Sequence, residues 1–167
     1  MTHLWTPWRS TYMQAKKEKG SCIFCDAALS EADEETLVVY RGELSFVLLN
    51  RYPYTSGHLM IAPYVHVSRL AQTSEATSAE IMDLTRASEQ ILERAYRPDG
   101  LNLGMNLGEA AGAGIEQHIH MHVLPRWKGD ANFMTSVSDT RIIPESLTDT
   151  YAKIKEAFFN YSRSSAR

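Results

Sequence analysis

One stretch with helical spacing, residues 74–96, interrupts a chain whose other apolar segments alternate as strands do. Charged residues occupy most positions between its apolar and small side chains, as on an amphipathic helix. Ser74 or Ser78 is placed to cap its start, and Pro98 with Gly100 marks its end. We therefore predict one long helix with a single buried stripe. The stripe consists of Ile81, Leu84, Ser88, Ile91, Leu92 and Ala95.

Segments with strand character lie on both sides of this helix. Short turns separate the first three, and the polar run 30–35 is predicted to be a connector that leads into the first. A second, shorter amphipathic helix is predicted over residues 144–159. Strands joined by short turns, with one long helix inserted, predict an α+β fold with a mainly antiparallel sheet. The predicted strands cover residues 36–40, 43–50, 58–63 and 101–107, followed by the histidine-rich stretch 116–127.

The length and charge of the chain limit the classes of function that it can have. With 167 residues we expect a single domain, made of an N-terminal segment 1–35, a core of about 36–128 and a C-terminal extension 129–167. A net charge of −3 gives no broad basic field, which argues against a nucleic-acid cleft. We find neither a signal-peptide run nor a membrane span. The sequence thus predicts a cytoplasmic protein whose two cysteines stay reduced.

The stretch "EQHIHMHVLPRW", residues 116–127, holds three histidines in strict alternation with apolar residues. On a strand, such alternation places the histidines on one face and the apolar side chains on the other. A half-buried strand with a histidine-rich polar face is the simplest interpretation, but the chain has only six histidines and three of them are here. We therefore treat His118, His120 and His122 as candidate functional residues, with Ile119, Met121 and Val123 facing a core.

Two chemistries fit this spacing. Histidines two residues apart can share one catalytic zinc ion. Alternatively, a neutral imidazole attacks phosphorus while its other ring N–H is held by a hydrogen bond. The upstream loop 106–114 has three glycines in nine residues, which lets backbone N–H groups approach an anion. It lacks the lysine of a P-loop, and taken alone it also fits a flexible hairpin.

Cys22 and Cys25 have the spacing of half a zinc site. A redox motif would start a helix after a strand, whereas a short polar segment is expected here, so a metal is favoured. Two unrelated, unpaired cysteines are the remaining alternative. A structural zinc would need two further ligands, for which histidines are the natural candidates.

The segment "HIHMHVL" resembles the signature of the histidine triad superfamily, three histidines each followed by an apolar residue. "FVLLN", "GHLMIAP" and the Asn-x-Gly loop precede it in the order found in that family, so the resemblance covers most of the chain. "LWTPWR", "NRYPYTSGHLM" and "PRWKGDANFM" are similar to its bacterial diadenosine tetraphosphate phosphorylase branch, also described as ATP adenylyltransferase. The resemblance implies the histidine triad fold and action on the α-phosphate of adenine nucleotides.

The resemblance also implies roles for individual residues. His120 would be the nucleophile that forms an adenylyl-histidine intermediate, His122 would contact the phosphate, and His58 would support the triad. The remaining substrate contacts would be Asn50 with the ribose, Leu48 with the base and Asn106 with the phosphates.

In one place the chain departs from the family pattern. Many members carry Gln and then Ser or Thr four and three residues before the first triad histidine, where this chain has Gly114 and Ile115. Those side chains are thought to assist the leaving group, so its proton donor is unassigned here. Glu116 and Gln117 are nearby. The loop after Asn106 is also one residue longer than in eukaryotic members.

Zinc-bearing members, and the related galactose-1-phosphate uridylyltransferases, suggest a complete ligand set. Carried over by resemblance, a structural zinc would be held by Cys22, Cys25, His66 and His118. His120 would then stay free of metal. The resemblance further implies a homodimer, or a higher homo-oligomer, whose sheets join.

Diadenosine tetraphosphate phosphorolysis is the function that this resemblance implies. The alternatives are a hydrolase of nucleoside phosphoramidates or dinucleoside polyphosphates, and a nucleotide-binding protein without turnover. Trp127 has the position of a base-stacking residue and Arg126 that of a phosphate contact, although both also fit ordinary structural roles. Trp5 and Trp8 fit a core or an interface, and His3 has no assigned role.

Overall fold

The computed structural model describes residues 22–130 and 143–165. Two short helices are followed by three strands, one long helix, two further strands and a C-terminal helix. Single 3-10 turns at Leu70–Gln72 and Glu109–Ala111 lie in the connections. In chain order the elements are α1 (Ile23–Leu29), α2 (Asp33–Thr36), β1 (Val38–Arg41), β2 (Ser45–Leu49), β3 (Leu59–Pro63), α3 (Glu75–Tyr96), β4 (Gly100–Met105), β5 (Met121–Arg126) and α4 (Leu147–Ser165).

The five strands form one sheet in the order β1-β2-β3-β5-β4, and every pairing is antiparallel. β2 and β3 are buried along their whole length because both faces of the sheet are covered. β4 is an edge strand and is largely exposed. The predicted α+β class, with a mainly antiparallel sheet, one long helix and a C-terminal helix, is therefore confirmed.

The long helix α3 follows the predicted stripe. Ser74 caps it, with its Oγ accepting the Thr77 backbone N–H at 3.0 Å, whereas the Ser78 hydroxyl instead lies 2.7 Å from Thr73 Oγ1. The helix ends at Arg97, which adopts a left-handed conformation. Five stripe residues are buried and Ala95 is partly buried. Packing of this stripe, more than intrinsic propensity, stabilises the helix.

Two apolar cores lie on opposite faces of the sheet. The larger, which we call the helical-face core, packs α3 and α4 against the strands. The smaller, the α1-face core, is covered by α1. Its buried members are Phe24, Ala27, Val38, Phe46, Leu48, Met60 and Ala62. This second core lies on the face that carries the histidines, since Met60 pairs with His122.

The polar run 30–35 is not simply a connector, because it contains most of α2. Acidic residues in the first turn favour a helix start. The Asp33 carboxylate also receives hydrogen bonds from Arg41 at 2.9 Å and from Lys155 at 2.8 Å, which ties α2 to β1 and α4. These partners are distant in sequence, so the local pattern did not reveal the helix.

The histidine strand starts later than its alternation predicts. β5 begins at Met121, so only His122 of the three histidines lies within it. The cause is a local departure from the ladder: the Pro63 carbonyl accepts the His118 ring N–H at 2.8 Å, and the Ile119 N–H donates to the Val67 carbonyl at 2.8 Å. Ile119 and Val123 are buried as expected, and Met121 is half-buried. The expectation of one strand carrying all three histidines was wrong.

The C-terminal helix α4 also differs from the predicted range 144–159, since it begins and ends later. The Ser146 hydroxyl accepts the Asp149 N–H at 3.1 Å and so caps its start. His3, Trp5, Trp8 and the "ANFM" part of the quoted motif lie outside the described residues. Among the described helices, none has both the length and the apolar character needed to span a bilayer.

Candidate active site and metal centre

Four side chains from three parts of the chain meet beside the first triad histidine. Their ligand atoms all lie within 4.8 Å of one another. The His118 Nδ1 is 3.4 Å from Cys22 Sγ and 3.7 Å from Cys25 Sγ, and the His66 Nδ1 is 3.2 Å from Cys25 Sγ. The set that the sequence resemblance implied is thus brought together as a cluster able to bind a metal.

The donor set and its spacing fit zinc. Tetrahedral bonds of about 2.3 Å to sulfur and about 2.0 Å to nitrogen place neighbouring ligand atoms roughly 3.5 Å apart. The observed separations of 3.2 to 3.7 Å bracket that value. The other nitrogen of His118 donates to the Pro63 carbonyl, so its Nδ1 lone pair faces the sulfurs. This is the outer hydrogen bond that zinc-binding histidines commonly make.

The Cys-x-x-Cys motif does begin a helix, contrary to the expectation of a polar segment. Cys22 is the N-cap of α1, and its carbonyl accepts the Asp26 N–H at 2.9 Å. The described residues do not form the thioredoxin arrangement, because the sheet that they build is wholly antiparallel. Both sulfurs face histidine nitrogens instead, which favours metal binding.

His120 is the middle histidine and is almost fully buried. Its Nδ1 lies 3.0 Å from the His118 carbonyl oxygen, to which it donates. A neutral imidazole with its proton on Nδ1 has a lone pair on Nε2. Burial lowers the pKa of His120, although the hydrogen bond to His118 acts in the opposite direction. The geometry thus presents a neutral ring with a nucleophilic nitrogen.

A chain of hydrogen bonds fixes the tautomers of the neighbouring histidines. The Tyr54 backbone N–H donates to His58 Nδ1 at 3.2 Å, so the His58 proton is on Nε2. That Nε2 lies 2.9 Å from His122 Nδ1, which must accept. The His122 proton is therefore on Nε2 and can be donated outward. Burial, followed by repulsion from neighbouring imidazoles, lowers the pKa of His58 to about 3 and that of His122 to about 4.

The three predicted substrate residues lie around the histidines at different depths. Asn50 follows β2, where its Oδ1 accepts the Tyr52 N–H at 2.9 Å and its Nδ2 is 3.3 Å from His58 Nδ1. Leu48 is only 4% exposed and belongs to the α1-face core. Asn106 is half-buried and follows β4, one position beyond the pairing of Met105 with Met121.

Two aromatic residues next to the histidines were not singled out from the sequence. The Phe24 ring centroid lies 4.7 Å from that of His120 and 5.2 Å from that of His118. The Tyr54 ring stacks on His58 at 4.9 Å. Phe24 lies inside the Cys-x-x-Cys motif, and Tyr54 lies four residues before His58. Closeness in sequence to predicted site residues is the signal that points to both.

A cavity of about 510 Å³ opens beyond Tyr54, and no triad histidine lines it. Trp127 lies on its wall and meets Tyr96 edge to face at 6.3 Å, so it is directed away from the triad. Arg126 donates to Asp130 at 2.6 Å and to Asn102 at 2.7 Å. The guanidinium is therefore engaged within the protein, and Leu124 separates it from His122 along the strand.

Comparisons with known proteins agree with this geometry. Residues 31–129 match the HIT domain family. The AP-4-A phosphorylase of Mycobacterium tuberculosis (strain ATCC 25618 / H37Rv) is 41% identical over 157 residues, which span 90% of this chain and 80% of that protein. The asymmetrical bis(5'-nucleosyl)-tetraphosphatase of Schizosaccharomyces pombe is 30% identical over 56% of this chain and 50% of that protein. A Zn-bound histidine triad family protein from Mycobacterium smegmatis superposes with a TM-score of 0.69 at 26% identity, covering 86% of this chain and 97% of that chain.

Proposed function

The chain belongs to the HIT domain family, and from this membership we propose that it is an enzyme acting on the α-phosphate of adenine dinucleotides. Diadenosine tetraphosphate phosphorolysis is the specific reaction that we assign. The observation that carries the assignment is the state of His120, a buried neutral imidazole whose Nδ1–H is held by the His118 carbonyl. The phosphorylase name of the mycobacterial relative supports the choice of substrate.

The first step uses the lone pair of His120. Nε2 forms a bond to the α-phosphorus, the bond from that phosphorus to the bridging oxygen breaks, and ATP leaves. The ring becomes positively charged as it is adenylylated, and the His118 carbonyl stabilises the Nδ1–H more strongly in that state. Inorganic phosphate then attacks the same phosphorus and the P–N bond breaks, which yields ADP. One difficult displacement is thus divided into two easier ones.

His122 and His58 supply a fixed donor to the reacting phosphate. Because His58 donates to His122 Nδ1, the Nε2–H of His122 is available for a phosphate oxygen on which charge develops. The depressed pKa values of about 3 and about 4 keep both rings neutral near pH 7. His122 therefore donates from a single tautomer, and no reorientation is needed during the reaction.

The sheet register supports the proposed substrate contacts. Leu48 pairs with Met60, which pairs with His122, so the proposed base contact lies in the same cross-strand row as the phosphate donor. Asn50 retains one N–H and one lone pair beyond the contacts that it already makes, and we assign these to the ribose hydroxyls. We assign Asn106 to the phosphates, from its position near the start of β5, just beyond the pairing of Met105 with Met121.

We propose that the metal is a structural zinc held by Cys22, Cys25, His66 and His118. When bound, it cross-links α1, the segment after β3 and the triad in a closed four-ligand site. Because the His118 carbonyl also accepts a hydrogen bond from the His120 Nδ1–H, the position of His118 affects His120 directly. His120 contributes no atom to the ligand cluster, and this leaves its Nε2 for the phosphate.

We propose a homodimer formed through β4. This edge strand is open, Leu103 is 48% exposed, and a Cβ on Gly100 or Gly104 would meet no atom within 4 Å. A second copy could extend the sheet there. We also propose that residues 1–167 form one domain that works in the cytoplasm without nucleic-acid or membrane partners. Two free thiols in a metal cluster fit a reducing compartment.

The acceptor is tested by resolving products. Purified protein is incubated with diadenosine tetraphosphate, with and without inorganic phosphate, and the nucleotides are separated. We expect ADP and ATP, formed in a phosphate-dependent reaction. Equal rates in both incubations, with AMP and ATP as products, would show that water is the acceptor.

Hydrolysis of dinucleoside polyphosphates is the second candidate, and the similarity to the fission yeast tetraphosphatase favours it. The same assay separates it from phosphorolysis. A nucleotide-binding protein without turnover would bind AMP normally and form no product in either incubation. In that case the parent and His120→Ala would both form no product.

A further inference from the structure

Phe24 connects the metal cluster to the nucleophile. Its side chain is fully buried, and it lies between Cys22 and Cys25 in sequence. The ring faces His120 with a centroid separation of 4.7 Å and an interplanar angle of 38°, and it also touches His118 at 5.2 Å. No other residue between the two cysteines is buried, since Ile23 is exposed.

Two other rings pack against the His120 ring. The Phe24 centroid lies 4.7 Å away, and His122 meets the ring edge to face, also at 4.7 Å. The hydrogen bond from Nδ1 to the His118 carbonyl fixes one edge of the ring but by itself still lets the ring tilt. Packing by two neighbours restricts this tilt and so sets the direction of Nε2. Attack on phosphorus depends steeply on such alignment.

We propose that Phe24 is a positioning residue that holds the His120 ring in the orientation for in-line attack, an inference that rests on the proposed function. Phe24 acts by packing and contributes no polar atom. Its effect is on the chemical step and on the orientation of the free ring. Phe24 does not contribute to substrate affinity, because its side chain is fully covered by protein.

The place of Phe24 depends in turn on α1. This helix has only seven residues and no side-chain cap, so it is too short to be stable in isolation. Its anchors include Ala27, buried in the α1-face core, and the two cysteines in the cluster with His66 and His118. Arg41 also holds the end of the helix, because its guanidinium donates to the carbonyls of Ala27, Ala28 and Ser30. The cluster therefore adjoins His120 by two routes, through the His118 carbonyl and through the Phe24 ring.

The chain offers a matched control. Phe46 is also fully buried in the α1-face core, but its ring stacks on Tyr64 at 5.3 Å instead of on a histidine. Phe24→Leu and Phe46→Leu make the same chemical change in the same core. A general effect of core repacking would therefore appear in both variants, whereas a positioning effect would appear only in the first.

Two measurements on full-length, zinc-loaded protein test the inference. Nitrogen-15 NMR of the substrate-free protein reports the His120 tautomer and ring mobility. We expect a single, rigid Nδ1–H tautomer in the parent and in Phe46→Leu, and a mobile or mixed one in Phe24→Ala. Rapid quenching with diadenosine tetraphosphate reports adenylylation. We expect Phe24→Ala to lower its rate by about tenfold or more with KM unchanged, and Phe24→Leu to recover part of that loss.

Several results would overturn the inference. One is an equal loss of adenylylation rate in Phe24→Leu and Phe46→Leu. Another is a raised KM with unchanged kcat in Phe24→Ala, which would make Phe24 a substrate contact. An unaltered His120 signal in Phe24→Ala would also contradict it. If the parent forms no adenylyl-histidine, the proposed function fails, whatever the NMR shows. If the parent forms it and Phe24→Ala does so equally fast, only the positioning role fails.

Discussion

The Nε2 of His58 lies 2.9 Å from the Nδ1 of His122, and the direction of this hydrogen bond is fixed by the Tyr54 N–H behind it. The pair joins the start of β3 to β5, the strand that contains His122. Since His58 donates, His122 keeps its own proton on the outward nitrogen. A backbone turn thereby determines which ring nitrogen of His122 carries the proton.

His58→Leu should lower kcat because it removes the donor that fixes the His122 tautomer. A neutral hydrogen bond of this kind contributes about 1 kcal/mol, which corresponds to about a fivefold loss of rate. Steady-state kinetics with diadenosine tetraphosphate measures it. Thr55→Val is the control in the same turn, since the Thr55 hydroxyl is buried without a partner among the described residues. Equal losses in both variants would point to turn stability instead.

Stability should fall as the pH is lowered below about 6.5. His58 has a folded-state pKa of about 3, against an ordinary value of 6.5, so the unfolded chain binds its proton first. Between these values each step down in pH favours unfolding, and at pH 5 the loss from His58 alone is about 2 kcal/mol. Denaturant unfolding at pH 7 and pH 5 measures the difference. His58→Leu should reduce the pH dependence; an undiminished dependence would show that other groups cause it.

Metal analysis of the purified protein should find one zinc per chain. His66→Asn should abolish zinc binding by removing a ligand. Chelation of the metal should lower the melting temperature of the parent, because metal binding is coupled to folding. His122→Asn is the matched control, as it removes a histidine of the triad that lies outside the cluster. A metal-free parent with an unchanged melting temperature would exclude a structural zinc.

Gly57→Ala should destabilise the protein by about 1–3 kcal/mol. Gly57 has a φ of +76°, and a Cβ there would lie 2.9 Å from Tyr96 Cε2 and 3.0 Å from Leu92 Cδ2. Gly100→Ala is the control because a Cβ there would meet nothing within 4 Å. Chemical denaturation of both variants measures the difference. Similar stability of the two would contradict the prediction, because a shift of α3 would relieve the clash but not the strain of the positive φ.

The sequence predicted the elements whose signal is local. The α3 stripe of Ile81, Leu84 and Ile91 is repeated over many turns, and Ser74 caps it as one of two candidates. The late start of β5 could not be read from alternation, because it depends on which carbonyls the His118 ring and the Ile119 N–H reach. Those acceptors, on Pro63 and Val67, are set only by the tertiary fold.

In the candidate site, too, some residues could be predicted from the sequence and others depend on the tertiary fold. The resemblance named all four members of the candidate metal cluster, and the structure brings them together. Phe24 was missed because an apolar residue carries no chemical signature until its ring is seen against His120. The helix at the Cys-x-x-Cys motif was missed because seven residues are too few for periodicity to show. Packing contacts of this kind require coordinates.

The central claim is that His120 carries the adenylyl group, and trapping that group tests it most directly. Full-length protein is mixed with diadenosine tetraphosphate without inorganic phosphate, quenched at alkaline pH and mapped by mass spectrometry. We predict an adenylyl group on the peptide that contains His120, assigned by fragmentation to that residue and absent from His120→Ala. An adenylyl group on His122 or another residue, or product formation by His120→Ala at the parent rate, would contradict the account.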